Sequence, residues 1–533
     1  MEILSKTWSV LRSEQLAAWR VTQEKRASAA AFAEPNKKYM QNGWQSKPGD
    51  RFFRPRRIKR IRLRRVLGVP ALFSIGYGDV GSSIYYGLGV VAVVALGATP
   101  VALAAAGIVY IFNALTYAEG AAMLPEGGGS ASYARHGFND LVGFLAGWAL
   151  MLSYIITMAI SAYTIPPYLA YFWPVLNEPA IGTLVSMGII LFLMVINVLG
   201  IKESSGMNIM FIVLDIATQL TLVALGAFLI LRPHPETLFQ HMFGQGNWPS
   251  TQNLIFGIAL AALCFTGVES VSQHGEETRL PQKRMPQAYT LMIVAVLVLF
   301  AGISIVALSA MTPQLLGDPV NGWARDPVAG IAANLPSEML RSYLAPLVAV
   351  LAATILLTAT NAGLLGISRL SYNLSSHRQL PAPLGRIHDR FRTPYIGIVL
   401  FCVISVLMLS PGFFSDSFFS DLGALYVFGS LLCFMLAHAA ILSLRVRKPE
   451  LPRPFKLRLN LRFRGKELPI TAMFGLLATF TIWVVVIVTQ PYSRWAGFLW
   501  MAIGLAVYLV YRRMKHLPLT RVRRLATDRE IRS

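Results

Sequence analysis

Long apolar runs fill this chain from residue 67 to residue 511, and short polar stretches punctuate them at intervals that suit a bilayer. Many windows exceed the roughly 20 apolar residues needed to cross a membrane as a helix. The pattern predicts twelve spans, near 67–96, 99–123, 139–172, 179–200, 206–231, 251–275, 286–311, 342–371, 394–411, 418–444, 468–490 and 495–511. The expected fold is therefore all-α and integral to the membrane. Connecting stretches are too short for independent domains. Residues 67–511 read as one twelve-helix unit, preceded by a polar, basic segment (1–66) and followed by a short basic tail (512–533).

Two of the twelve runs are interrupted. The first carries Gly76-Tyr77-Gly78-Asp79-Val80-Gly81-Ser82-Ser83, and the sixth carries Cys264-Phe265-Thr266-Gly267-Val268-Glu269. Glycines and serines suit continuous helix poorly. Inserting a carboxylate at the centre of a spanning helix costs about 2.5–3.5 kcal/mol on insertion scales. Interruptions in runs one and six are what two inverted five-helix repeats would give, with two extra helices after them. Unwound backbone at membrane depth is tolerated where it lines a cavity or is buried in protein, so the two interruptions are expected to face each other. This arrangement points to an ion or substrate site in a transporter.

Composition adds a topology. The chain has 533 residues, of which 55% are hydrophobic and 14% charged, with a net charge of +22. Of 48 Lys and Arg residues, only Arg232, Arg325, Arg341 and Arg494 fall on the side opposite the N-terminus. That asymmetry places both termini in the cytoplasm of a multi-pass protein of the plasma (inner) membrane. The basicity is thus an address rather than a nucleic-acid surface. Residues 1–33 are able to form an amphipathic helix with Leu4, Trp8, Leu11 and Trp19 on one side. Nine basic residues between Arg51 and Arg65 are expected to anchor on anionic headgroups, making membrane lipids a partner. The first apolar stretch begins too late for a cleavable signal peptide. Cys264, Cys402 and Cys433 lie in apolar segments with no metal-ligand spacing. No triad, P-loop or metal motif marks an enzyme, and no cofactor is expected; a homodimer is a possible assembly.

Asp79 is the leading candidate for cation ligand or proton carrier. The competing reading is that Asp79, Ser82 or Ser83 caps a half-helix beginning near Ile84. Glu269 follows Thr266 by three, which sets both on one face if the segment is helical there; it reads as ligand, gate or proton relay. Glu276 and Glu277 read as solvated. Thr157 and Ser161, four apart, share a face of the third run, and Tyr86 lies two turns beyond Asp79. Gly78, Gly81, Ser82 and Gly267 are expected to shape the backbone of the interruptions. Asp215, Asn361 and His438 read as packing or gating contacts. The run Ile75-Gly76-Tyr77-Gly78-Asp79 is similar to a potassium-channel filter, but it occurs once and has no pore helix before it.

The residues that follow carry a family resemblance. Pro125-Glu126-Gly127-Gly128-Gly129, Phe265 to Glu277 with Pro281 and Pro286, Asn361 to Pro381, and Leu444 to Phe455 resemble the amino acid-polyamine-organocation superfamily over residues 67–511. The resemblance implies the LeuT-type 5+5 inverted repeat. Within the superfamily the chain looks most similar to KimA-type potassium importers, with a fainter likeness to KUP transporters. That likeness implies a potassium path at Asp79, Tyr86, Thr157, Ser161, Thr266 and Tyr426, with Glu269 nearby and Asp79 or Glu269 passing protons. Two departures stand out: Ser153 occupies the family's additional acidic position, and the family's C-terminal nucleotide-binding domain has no counterpart. The expected function is proton-coupled potassium uptake by alternating access, with potassium and protons as transported ions. The alternative is a proton-coupled amino acid or amine permease, since Gly81-Ser82-Ser83-Ile84-Tyr85 keeps part of the permease pattern. A non-transporting sensor is a third reading. An anionic Asp79 would repel a substrate carboxylate and attract an amine.

Overall fold

The computed structural model describes residues 65–200, 205–415, 418–457, 459–463 and 466–520. The amphipathic stretch 1–33, the basic cluster up to residue 64 and the tail from 521 lie outside the described residues. Among the described residues, eleven helices are long and apolar enough to cross a membrane. The first, Val69–Met123, has 55 residues. As one helix it would run about 80 Å, far beyond the roughly 30 Å of a bilayer core. It is two spans: Leu96, at φ 46° and ψ −127°, reverses the chain between them. Twelve crossings result, as the apolar pattern predicts.

Span one consists of α1 (Val69–Val80), a single tight turn (Gly81–Ser83) and α2 (Ile84–Ala95); span two is α3 (Thr99–Met123). After a short helix α4 (Ser130–Gly137) come span three, α5 (Asp140–Leu169), span four, α6 (Pro179–Leu199), and span five, α7 (Ser205–Gly226). Asn139 caps α5 by accepting from the Val142 amide at 3.0 Å. A short helix α8 (Pro235–Phe243) leads to span six, whose helical part is α9 (Thr251–Ala261). Span seven, α10 (Pro281–Ala310), begins five residues earlier than the expected 286, with Pro281 at its first turn and Pro286 accommodated inside. Two short helices, α11 (Pro313–Gly317) and α12 (Pro327–Ala333), precede span eight, α13 (Glu338–Ser376). Spans nine to twelve are α14 (Tyr395–Met408), α15 (Phe418–Arg447), α16 (Ile470–Thr489) and α17 (Pro491–Met514). One hairpin escapes the all-helical expectation. Strands β1 (Asn460–Phe463) and β2 (Lys466–Pro469) pair antiparallel between spans ten and eleven, with Asn460 opposite Pro469.

Burial runs opposite to that of a water-soluble bundle. Leu184, Phe192 and Val195 of α6, Val294 and Val298 of α10, and Leu477 and Phe480 of α16 are exposed. Asp79, Glu119, Glu269 and Ser161 are buried. Apolar side chains that face outward suit lipid, and the polar groups they enclose mark the functional interior. Exposed Phe172, Trp173, Trp248, Tyr492 and Trp495 all lie on the face where odd-numbered spans end, as an interfacial aromatic belt would. We refer to it as the outer-belt face, and to the other, where span one begins, as the basic face.

Paired charges stitch the basic face together. Arg445 of α15 grips Glu119 of α3 through two bonds of 2.7 and 2.8 Å, and the Leu457 amide donates to the same carboxylate at 3.3 Å. Arg135 and His136 share Glu126, and Arg512 of α17 meets Asp140 of α5 at 2.6 Å.

Candidate functional site

The interruption in span one is narrower than its glycines suggest. Gly76 to Val80 remain helical, and only Gly81–Ser83 tightens into a 3₁₀ turn. The half-helix at Ile84 has no side-chain cap. Instead the Ser82 and Ser83 hydroxyls turn back onto the Asp79 carbonyl, at 2.8 and 3.5 Å. The capping reading of Asp79 is therefore not what the geometry shows. Its carboxylate is free to point elsewhere.

Span six is broken outright. Ser250 caps α9, whose helix tightens over Ala262–Phe265 and then stops. Thr266 is extended, Gly267 sits at φ +100°, and a second tight helix runs over Val268–Glu277. Thr266 and Glu269 consequently do not share a helical face. The Thr266 hydroxyl donates to its own segment, at the Leu263 carbonyl (2.8 Å). Glu269 Oε2 accepts from the Gly267 amide at 3.2 Å. Gly267 is obligatory on two counts. Its φ is one that L-residues rarely adopt, and a Cβ there would lie 2.7 Å from Asp79 Cγ. The two interruptions meet at this contact, with Asp79 on one side of Gly267 and Glu269 on the other.

Around that contact the structure gathers most of the predicted residues. Ser270 donates to Asp79 Oδ2. Asp79 Oδ1 is buried with no hydrogen-bond partner. The Ser83 and Tyr86 hydroxyls pair at 3.0 Å. Thr157 donates to the Ser153 carbonyl at 3.0 Å and pairs with the Tyr426 hydroxyl at 2.8 Å, which lies within electrostatic range of Asp79 and Glu269. Ser161 Oγ is buried beside the Tyr86 hydroxyl. Asp79, Tyr86, Thr157, Ser161, Thr266, Glu269 and Tyr426 are each no more than 2% exposed, so this conformation is closed to solvent on both faces. Ser153, at the position of the likeness's extra acid, bonds Ser430 at 2.8 Å and ties span three to span ten.

Chemically the site is rich in oxygen and poor in positive charge. Its donors and acceptors are two carboxylates, seven hydroxyls (Ser83, Tyr86, Thr157, Ser161, Thr266, Ser270 and Tyr426) and the backbone of a broken helix. Among the described residues no cluster of three or more His, Cys, Asp or Glu forms a metal cage. An ionised carboxylate buried without a cation is costly. Such a site therefore favours a guest that brings positive charge, or a proton.

Sequence reasoning missed Ser270, whose hydroxyl is, among the described residues, the side chain hydrogen-bonded to the Asp79 carboxylate. The recurrence of hydroxyls at Thr266, Ser270 and Ser272 beside Glu269 is the signal that would have found it. Glu277, read as solvated, is half-buried and pairs with Arg369 at 3.2 Å. Arg369 also contacts His274. His438 and Asn361, read as packing or gating contacts, make hydrogen bonds between spans. Asn113 and Thr116 of span two hold the His438 ring, and Asn197 of span four donates to Asn361 at 2.6 Å.

A family model described as amino acid permease matches residues 67–510. The chain is 27% identical over 480 residues to branched-chain amino acid permease BcaP of Bacillus subtilis (strain 168), covering 86% of this chain and 95% of that protein. It is 27% identical over 484 residues to the methylthioribose transporter of the same organism, covering 85% and 94%. It is also 25% identical over 405 residues to cationic amino acid transporter 4, vacuolar, of Arabidopsis thaliana, covering 73% and 64%.

Proposed function

The chain belongs to the amino acid permease family, within the amino acid-polyamine-organocation superfamily, and on that footing we propose that it is a proton-coupled secondary transporter of amino acids or related amines. The matches back this reading better than potassium uptake, and they lend no support to the likeness to KimA-type or KUP importers. One observation carries the proposal. Asp79 presents a buried, unpartnered carboxylate oxygen at the meeting of the two interruptions, and among the described residues no Lys, Arg or His pairs with it. A substrate ammonium would neutralise that charge and find the Tyr86 and Ser161 hydroxyls nearby. A substrate carboxylate would compete with Glu269 for the Gly267 amide, and protonation of Glu269 would release that amide. Substrate and proton would then bind in concert.

Alternating access supplies the rest of the cycle. The closed site opens to the outer-belt face to load and to the basic face to unload. The charge distribution supports a basic face in the cytoplasm and an outer-belt face outside. Potassium remains the second reading because the donor set is all oxygen, the chemistry that replaces a hydration shell.

Both readings are tested by purified protein in proteoliposomes under an imposed pH gradient. Proton entry that depends on amino acids, and is lost in Asp79→Asn, is the expected result. Proton entry with potassium alone would overturn the permease reading.

A further inference from the structure

We propose that Asp215 is a second proton-carrying group, set on the far side of span one from the candidate substrate site and mechanically joined to it through Tyr85. The inference rests on the reading of this protein as a proton-coupled transporter. Asp215 lies at the middle of α7 and is 1% exposed. The Tyr85 hydroxyl donates to its Oδ1 at 2.5 Å, and Gln219 Nε2 donates to its Oδ2 at 2.9 Å. Among the described residues no Lys, Arg or His is paired with it. Two further polar atoms of the same cluster, Tyr77 Oη and Gln219 Oε1, are buried beside it, and the Tyr77 hydroxyl interacts with both Asp215 and Gln219. A carboxylate held only by neutral hydroxyl and amide groups at membrane depth gains by taking up a proton.

The connection to transport runs through span one. Tyr85 and Tyr86 are adjacent on α2, immediately after the 3₁₀ turn. Tyr86 serves the candidate site through Ser83, whereas Tyr85 faces Asp215. As a carboxylate, Asp215 accepts from Tyr85. Once protonated it carries a donor of its own, and its hold on Tyr85 changes. The charge state of span five is thereby felt at the turn that shapes the substrate site.

Access comes from the outer-belt face. Tyr168 of α5 donates to the Tyr85 carbonyl at 2.7 Å, and the two rings meet edge to face at 5.6 Å. Tyr168 also faces Asp326, in the connection before α12. Burial pushes the Asp326 carboxyl up to about 7, against the opposing pull of Arg325, so it exchanges protons near neutrality. The groups around Asp215 are thus Tyr77 and Tyr85 of span one, Tyr168 of span three, and Asp326 beyond it. Spans seven and eight, also packed on α7, present no titratable group to it among the described residues. In the cycle a proton leaves hydronium at the outer-belt face, neutralises the Asp215 carboxylate, and is later released to water on the basic face.

Infrared titration of wild-type, Asp215→Asn and Tyr85→Phe protein reads the carboxyl directly and needs no substrate. A protonated-carboxyl band that titrates in wild type, is missing in Asp215→Asn and shifts its midpoint in Tyr85→Phe is the expected result. The same variants are assayed with L-leucine in proteoliposomes. Leucine exchange at equal pH should persist in Asp215→Asn, while gradient-driven accumulation falls about tenfold, within the usual range for coupling between two sites. A titrating carboxyl band that persists unchanged in Asp215→Asn, or accumulation that stays gradient-driven in it, overturns the proposal. If wild type carries no leucine but the band behaves as expected, the proton site stands and the choice of substrate fails separately. Should Asp215→Asn not fold, an unshifted band in Tyr85→Phe overturns the link to span one.

Discussion

At the scale of single residues, buried charge decides most outcomes. Asp79→Asn keeps the shape of the side chain and removes its charge. Uptake should fall to about 1% of wild type or less, the loss expected when an interaction essential to binding and coupling disappears. Membrane insertion and the elution profile of the purified protein should not change. Glu119→Gln is expected to act in the opposite way. The Arg445 guanidinium would stay buried with half its partner gone, at a cost of about 3–5 kcal/mol. The thermal midpoint in detergent should drop, and remaining folded protein should still transport. Glu126 sets a third expectation, for acid. Burial works against its ionisation, but His136 and Arg135 prevail and hold its carboxyl well below the usual range. A depressed folded-state pKa contributes stability that is complete above the unfolded value and drains away as pH falls toward the folded one. Acid titration of stability should therefore show a loss below the ordinary carboxylate range that is weaker in Glu126→Gln.

At the scale of elements, the broken sixth span is the sensitive point. Gly267→Ala forces a side chain into a left-handed conformation and against Asp79. Strain of about 1–3 kcal/mol is expected from the backbone alone, and transport should fall further than stability, since the displaced atom is the Asp79 carboxyl. Uptake assays beside thermal melts would separate the two. The sequence made this break legible because a glycine and a carboxylate stood together in an otherwise apolar run. It overstated the first break for the same reason. Gly76 and Gly78 looked like unwinding signals, yet they are helical and serve contact. A Cβ on Gly76 would meet Met292 and Val271. Local composition cannot distinguish a glycine needed for its backbone freedom from one needed for its small size. The partners of Asp79 and Asp215 were hidden for a related reason: Ser270 and Tyr85 acquire meaning only when spans distant in sequence pack together. The hairpin of β1 and β2 was missed because its alternation is only four residues long on each strand.

At the scale of the whole molecule, closure on the basic face joins spans one, six and eight. The Val66 and Leu67 amides donate to the Glu277 carbonyl at 2.8 and 3.0 Å, and the Arg279 amide returns a bond to Leu67. Arg369 of span eight clasps the same segment through Glu277 and His274. Arg369→Ala should loosen this closure and favour a conformation open to the basic face. In that background a cysteine placed at Ser272 should react faster with a soluble thiol reagent than in the parent. Equal rates would mean that the backbone bonds alone keep this end shut.

The last helix carries a consequence of another kind. Trp148 of α5 and Trp500 of α17 stack at 4.7 Å with ring planes 19° apart, and each indole donates to the other's carbonyl, at 2.7 and 3.0 Å. Two chromophores locked this closely share their excited states. The pair should give a signed couplet at the strong indole band in the far-ultraviolet dichroism spectrum that vanishes in Trp500→Phe. The protein therefore contains an optical gauge, built from its own side chains, of whether spans three and twelve travel together while the site opens and closes.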